Sequence, residues 1–288
     1  MSHFKDLFSP AASTNPITIE NNRKIDLRVQ EEINRIKSTT SRHYVDPYKI
    51  AIILKALPNN KSPGIKGIRN EFLKYGFNTD LPIIIAKYLQ LIINGKVTPT
   101  NFNIGKIVPI IKDIRGDLSS LDNVRPITLS DTLATIFELY FLDKLNQKIN
   151  LAPEQFGFRS HSSTTNAIFT LKSLSNKLKR EKRQAFALYI DYSKAFDKVR
   201  RNNMFIKLIG LVDENLWLAL VNYYAKSRAT IMVHKTNNLS DIFDTTGGVK
   251  QGGNLSPTLF NLVIDELIQL AKASGKLLEL NGISYIIV

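Results

Sequence analysis

An α+β fold is what this sequence predicts, on three observations. Apolar residues recur at helical spacing in several separate stretches, as with Ile50, Ile53, Leu54 and Leu57. Short apolar runs of strand length stand between them, such as residues 104–112 (IGKIVPIIK). Near the end, Asn281-Gly282 separates two such runs, the signature of a hairpin with a type I′ turn.

Taken in order, residues 1–20 show no apolar period and are expected to form a loose arm. Asp46-Pro47 signals a capped helix that stops at Pro58. Residues 59–67 (NNKSPGIKG) read as a turn-rich loop. A helix over residues 69–75 meets Gly76 as its C-cap. Another runs from Asp80 to near Gly95. Residues 104–112 predict a strand, which Pro109 restricts to an edge or a bulge. A turn-prone stretch and a strand over residues 125–129 follow. Ser130 is expected to cap a long helix carrying Leu133, Ile136, Phe137, Tyr140, Phe141 and Leu145 on one face. The next helix, Thr164–Arg180, should bury Ile168, Leu171, Leu174 and Leu178. Residues 185–190 (AFALYI) have the length and flanks of a buried strand ending at Asp191. Helices over residues 203–211 and 214–224 precede a strand over residues 229–234. Ser256-Pro257 opens a helix with Leu259, Val263, Leu267 and Leu270 inward. The C-terminal hairpin pairs residues 277–280 with 283–288. Because the chain stops inside that apolar strand, it reads as truncated.

Composition narrows the function. The chain has 288 residues and a net charge of +14, with 43% hydrophobic and 22% charged residues, the profile of a folded globular protein. It has no cysteine, which excludes disulfides, thiolate zinc sites and cysteine nucleophiles. Lys87 interrupts the most apolar stretch short of the roughly 20 residues that span a bilayer, so no membrane partner is expected. Charge stands where a signal peptide would be apolar, which reads as an intracellular chain. Residues 241–288 hold three basic and five acidic side chains, so the first 240 residues carry +16. The densest patch, residues 172–201, has ten basic side chains against three acidic ones. A polyanion suits such a surface, although a solvated face would look the same.

Particular residues add chemistry. Asp191, at the end of an apolar run, is costly to bury unpaired, and Mg²⁺ would offset that cost through oxygen ligands; a helix-capping role is the plain alternative. Asp197 reads as a capping or salt-bridging acid beside Lys194, Lys198 and Arg200. Residues 245–257 (TTGGVKQGGNLSP) hold four glycines before a capped helix, a loop that lets backbone approach a ligand. It matches neither the P-loop nor the dinucleotide fingerprint. His3, His43, His161 and His234 lack ligand spacing, and no nucleophile elbow is present. Lys112 and Arg125 flank the proposed hairpin and could clamp a triphosphate, or be ordinary surface bases.

In series, NKSPGIKGIRNEFLK, KIVPIIKDIRGDLSSLDNVRPITL, QFGFRSHSST, ALYIDYSKAFDKV and GVKQGGNLSPTLFNLVIDEL closely resemble the reverse transcriptase domain of non-LTR (LINE-type) retrotransposons. The resemblance covers about residues 61–288, with five motifs in the expected order. It implies a right-hand polymerase: a 1–45 N-terminal arm, α-rich fingers with a small hairpin over 46–184, and a partial antiparallel-sheet palm over 185–288, with the thumb absent. Asp191 matches the first catalytic, metal-binding aspartate, with the Tyr192 carbonyl beside it. Phe196 matches the aromatic gate under the incoming sugar. Lys112 and Arg125 match fingers residues that contact the dNTP, and Gln251 and Gly252 match the loop that positions nucleotide and template. Residues 59–67, and the Gln155-to-Arg159 stretch with Gly157 and Phe158, match the template path. The implied reaction is RNA-directed DNA synthesis by two-metal nucleotidyl transfer, with paired Mg²⁺, RNA template, DNA primer and dNTPs, in the nucleus by analogy.

Two departures stand out. The family's Pro-Gly-Pro-Asp-Gly is here Pro63-Gly64-Ile65-Lys66-Gly67, without its acid. The family's Tyr-x-Asp-Asp should follow a strand like residues 283–288, where this chain ends. The chain alone is therefore expected neither to polymerise nor to hold paired Mg²⁺ tightly. The alternative is a non-catalytic RNA-binding protein derived from a reverse transcriptase. Group II intron and telomerase-like enzymes are runners-up within the polymerase class.

Overall fold

Side-chain caps start several of the chain's helices. The computed structural model describes residues 2–9, 13–76, 78–184, 186, 189–233 and 238–275, and the backbone alone of two short C-terminal strands. Helix α1 spans Ser2–Leu7. Helix α2, Pro16–Ser38, begins at Asn15, whose side chain accepts the N–H groups of Ile17 at 2.9 Å and Thr18 at 3.3 Å. Proline follows directly, preset for the first helical position. Helix α3, Pro47–Ala56, repeats the device, with Asp46 accepting from the Tyr48 N–H at 2.9 Å. Helices α4 (Asn70–Tyr75) and α5 (Asp80–Gly95) lead to strands β1 (Ile104–Ile111) and β2 (Val124–Leu129). Then come α6 (Thr132–Asn146), α7 (Thr164–Arg180), α8 (Arg201–Leu208) and α9 (Glu214–Ala225). Strands β3 (Arg228–Ile231) and β4 (Phe243–Asp244), helix α10 (Ser256–Ala273) and strands β5 (Leu278–Leu280) and β6 (Ile283–Tyr285) complete the order. The fold is α+β. Its residues form two compact units, Met1–Lys148 with Phe196–Ser256, and Ile149–Ala195 with Pro257–Val288.

In the first unit a four-stranded sheet of order β2-β1-β3-β4 carries the architecture. β1 and β2 pair antiparallel, with Ile107 opposite Thr128 and Ile110 opposite Arg125. β1 and β3 run parallel over residues 104–107, so the sheet is mixed. That register explains Pro109. β1 is an inner strand only as far as Ile107, and Pro109 sits beyond the reach of β3, opposite Pro126, where no ladder donor is lost.

Residues 2–9, within the stretch expected to be a loose arm, are packed on the sheet. Phe4, Leu7 and Phe8 are buried with Ile107, Ala229, Ile231 and Phe243, so α1 covers one face of the sheet. Their i, i+3, i+4 spacing is the helical pattern in its shortest form, and burial of each side chain contributes on the order of 1.5–3 kcal/mol at most. A second core is aromatic. Phe137 and Tyr223 lie 5.1 Å apart between ring centroids, and Phe102 stands edge-on to both. Trp217 is buried on α9 and donates its indole N–H to the Phe205 carbonyl at 2.9 Å. His43 joins three elements, with Nε2 2.7 Å from the Tyr140 hydroxyl and Nδ1 3.1 Å from Asp213.

Ser130 does not cap α6. The N-cap position is Asp131, and it makes no side-chain cap bond. Both side chains have partners in other loops, which compete with local capping.

In the second unit, α7 keeps its expected bounds, capped by Ser163, but not its expected burial. Only Leu178 is buried on it, while Ile168 and Leu171 are 56% and 42% exposed. The run expected as a buried strand over residues 185–190 is described only in part. Phe186, Tyr189 and Ile190 are in no strand and are exposed, and residues 185, 187 and 188 lie outside the described residues. An apolar run becomes a strand only beside a ladder partner, and among the described residues none pairs with it. On α10 the inward residues are Leu259, Ile264 and Ile268; Leu270 is exposed, so the buried stripe is displaced from the one the pattern suggests. β5 and β6 pair antiparallel, with Leu280 opposite Ile283. That register suits a two-residue connection at Asn281-Gly282, which, like residues 277 and 286–288, lies outside the described residues. His234 of the expected 229–234 strand lies outside them too.

Candidate functional site

The first unit assembles its candidate residues along β2. The Lys112 N–H donates to the Asn123 carbonyl at 2.8 Å, which extends the ladder by one step beyond the Ile111–Val124 pair. Alternation then carries Lys112 and Arg125 to one face of the hairpin as diagonal neighbours. Both are exposed. Lys112 Nζ donates to the Asp122 carbonyl at 2.7 Å.

The outer edge of β2 is covered by the glycine loop. Thr128 donates its N–H to the Gln251 carbonyl at 2.7 Å. Gly252 has φ +106°, and a Cβ there would meet the Thr128 carbonyl oxygen at 2.9 Å, so this approach requires glycine. The Gln251 side chain donates from Nε2 to Asp197 at 2.6 Å, and Asp197 is buried. Asp197 thus acts as an acceptor that orients the Gln251 side chain. The half-buried Phe196 accepts the Val249 N–H on its carbonyl at 2.8 Å. Gln251, Gly252, Lys112 and Arg125 thus share one hairpin and the loop along its edge.

Two cations, the half-buried Arg201 and the buried Lys250, support that loop. Arg201 donates to the carbonyls of Gly248 (2.9 Å), Tyr224 (2.8 Å), Thr245 (2.7 Å) and Gly247 (2.9 Å), which fixes the backbone ahead of Lys250. Burial pushes its guanidinium down to about 10, so it stays charged at neutral pH. Lys250 Nζ donates to the Tyr223 hydroxyl at 2.9 Å and to Ser130 Oγ at 3.2 Å, and lies 3.7 Å from Glu138. The Tyr223 hydroxyl donates to Glu138 Oε1 at 2.6 Å, and Glu138 Oε2 accepts the Asn254 N–H at 2.9 Å. Burial pushes Lys250 below the ordinary lysine range, opposed by Glu138. Burial, then the Glu138 charge, pushes the Tyr223 phenol well up, so it serves as a donor. A buried carboxylate with this many partners is the arrangement that offsets its desolvation.

The second unit holds the remaining candidates. Asp191 and Tyr192 are exposed. The Gln155-to-Arg159 stretch is tied to α10. Gln155 Nε2 donates to the Asn261 carbonyl at 3.1 Å and to Asp265 Oδ1 at 3.0 Å, and Asn261 Nδ2 donates to the Gly157 carbonyl at 2.8 Å. Arg159 turns back to the Ala152 carbonyl at 2.6 Å. Phe158 is 65% exposed and has φ +54°, a conformation that costs an aromatic residue about 1–3 kcal/mol unless its surroundings hold it. The template-path candidates are therefore a braced loop that presents an aromatic ring.

Asp191 brings a single carboxylate. Among the described residues no group of three or more His, Asp or Glu side chains comes together as a metal-holding cluster. Paired Mg²⁺ needs several oxygen ligands, so this donor set does not fit the two ions. No helix among the described residues is long and apolar enough to cross a membrane.

Sequence reasoning missed Glu138, Arg201, Tyr223, Asn261 and Asp265. For Glu138 a signal existed: an acid set among Ile136, Phe137, Tyr140 and Phe141 on a buried helix requires an internal partner.

Known proteins place the chain. A family model described as reverse transcriptase (RNA-dependent DNA polymerase) matches residues 112–286. The chain is 28% identical over 227 residues to the probable RNA-directed DNA polymerase from transposon BS of Drosophila melanogaster, covering 76% of this chain and 24% of that protein. It is 31% identical over 211 residues to the Pol polyprotein from type-1 retrotransposable element R2 of Popillia japonica, covering 72% and 28%. It is 27% identical over 221 residues to the corresponding R1 polyprotein of Bradysia coprophila, covering 75% and 21%. The chain thus spans about a quarter of the length of these curated relatives. The match covers the β1–β2 turn, β2, the glycine loop and Asp191 in one stretch, and the chain belongs to the reverse transcriptase (RNA-dependent DNA polymerase) family.

Proposed function

We propose that this chain is the nucleotide- and template-holding part of a non-LTR retrotransposon reverse transcriptase, acting on RNA template, DNA primer and dNTPs in the nucleus. On this reading residues 1–45 form an arm, 46–184 the fingers and 185–288 part of the palm. The observation that carries it is the β2 edge: Lys112 and Arg125 lie on one face of a hairpin whose outer strand holds the Gln251-Gly252 loop. Two exposed cations at that spacing suit a triphosphate, and close-lying glycine backbone suits a stacked base pair. Tyr192 and Phe196 would border the sugar, Gly157, Phe158, Arg159 and Gly252 the template, and Asp191 the reacting hydroxyl. The chain's own residues bind and orient; no step is assigned to metal ions, because the carboxylates among the described residues do not fit a pair of them.

Binding of an RNA template annealed to a DNA primer tests this. Affinity should fall steeply with salt, and Lys112→Ala with Arg125→Ala should weaken dNTP-dependent retention of the primer by about tenfold or more. Unchanged retention in the double variant would remove these two residues from the site. Template-directed incorporation by these 288 residues alone is expected to be absent, and its detection would overturn the single-carboxylate reading. The +16 carried by the first 240 residues also favours a second reading, a non-catalytic RNA-binding protein. That reading predicts RNA binding with the same salt dependence but no response to dNTP.

A further inference from the structure

We infer that residues 128–132, the end of β2 and its junction into α6, act as a positioning clamp that couples the Pro63-Gly64-Ile65-Lys66-Gly67 turn to the Gln251-Gly252 loop. On the turn side, Asp131 Oδ1 accepts the Lys66 N–H at 3.0 Å, and Oδ2 lies 3.9 Å from Lys66 Nζ. Gly64 permits this approach, since a Cβ there would meet the Asp131 backbone nitrogen at 2.6 Å. Gly67 closes the turn onto the Gly64 carbonyl at 3.3 Å, and Thr132 Oγ1 donates to the Ile68 carbonyl at 2.8 Å. An acid 65 residues further along the chain thus braces the turn.

On the loop side, the Thr128 N–H holds the Gln251 carbonyl, Gly252 backs onto the Thr128 carbonyl, and Ser130 Oγ accepts from Lys250. Thr128, Asp131 and Thr132 are each only 4% exposed. A close-packed junction with these bonds on both sides cannot yield to one loop without straining the other. The functional meaning of the clamp rests on the proposed reading of the two loops; the coupling itself is a property of the fold.

Amide hydrogen exchange on the full 288-residue chain tests it. Gly64→Ala displaces Asp131, and should raise exchange about tenfold at Lys66 and Gly67 and also at Thr128, Gly253 and Asn254. Gly253→Ala should loosen Lys66 in return. Should either added methyl prevent folding, Asp131→Ala makes the same test without added bulk, and Asp131→Asn, which keeps the Oδ1 acceptor, should restore both loops. Loosening confined to the substituted loop, or no rescue by Asn, overturns the clamp. Template–primer binding on the same samples separates the two claims. Coupled exchange without binding upholds the clamp and removes the polymerase reading; independent exchange with binding intact overturns the clamp alone.

Discussion

Helices α9 and α7 are both capped by a side chain, Asp213 and Ser163, yet they meet opposite fates. α9, in the first unit, buries nine of its 12 residues, among them Trp217, Tyr223 and Tyr224. α7, in the second, buries Leu178 alone of its 17 and leaves Phe169 71% exposed. The same division runs through the candidate site. In the first unit the loop that carries Gln251 and Gly252 stands on a buried Lys250–Glu138–Tyr223 network. In the second, Asp191, Tyr192 and Phe158 are exposed. The continuous apolar run of residues 216–221 already marks α9 as a helix buried on all sides, whereas the narrower apolar stripe of α7 depends on partners elsewhere in the chain.

The largest expected effect tests that contrast directly. Glu138→Ala leaves the Lys250 cation buried without its counter-charge and should cost about 3–5 kcal/mol in chemical denaturation. Phe169→Ala on α7 should stay within about 0.5 kcal/mol. Equal losses would erase the difference between the units. Next come the glycines. Gly248 has φ +71°, and a Cβ there would meet the Asp197 carbonyl oxygen at 2.5 Å, so Gly248→Ala should destabilise by about 1–3 kcal/mol. Gly157 has open space around it, and Gly157→Ala should change stability by less than about 0.5 kcal/mol.

Within the second unit, Asp265 accepts the Ala152 N–H at 2.7 Å and Gln155 Nε2 at 3.0 Å. Asp265→Ala should cost about 1–3 kcal/mol and make residues 150–160 the first site of limited proteolysis. Unchanged cleavage would show that α10 does not brace that loop. The smallest effect concerns pH. A hydrogen bond from His43, together with backbone N–H groups, holds the Asp213 carboxyl below the usual range. A depressed carboxylate contributes stability that is present above its unfolded pKa and lost as pH falls through the folded one. Melting midpoints of wild type and Asp213→Asn should therefore converge below about pH 4, with wild type higher above it. Parallel curves at every pH would remove the His43–Asp213 link.

Much of this was legible from local chemistry. The bounds of α5 and α7 follow from caps and breakers that act over a few residues, and five motifs in order carried the family resemblance. The pairing of Glu138 with Lys250 was not legible, because the residues are distant in sequence and nothing local marks a partner. Asp131 was overlooked for a related reason. Ser130 and Asp131 both satisfy the N-cap preference, and only the fold shows that neither side chain caps. At Phe186, Tyr189 and Ile190, the described part of the 185–190 run, apolar composition did not bring burial, because burial needs a partner that local sequence does not name.

The central claim is that nucleic acid and nucleotide meet the β2 edge rather than the most positive surface. Hydrogen exchange of the whole chain with RNA–DNA template–primer and dNTP tests this most directly. The expected result is protection at residues 110–129, 155–160 and 248–256. Protection confined to the basic run over residues 172–183 would contradict it, and would leave charge alone as the reason this chain binds RNA.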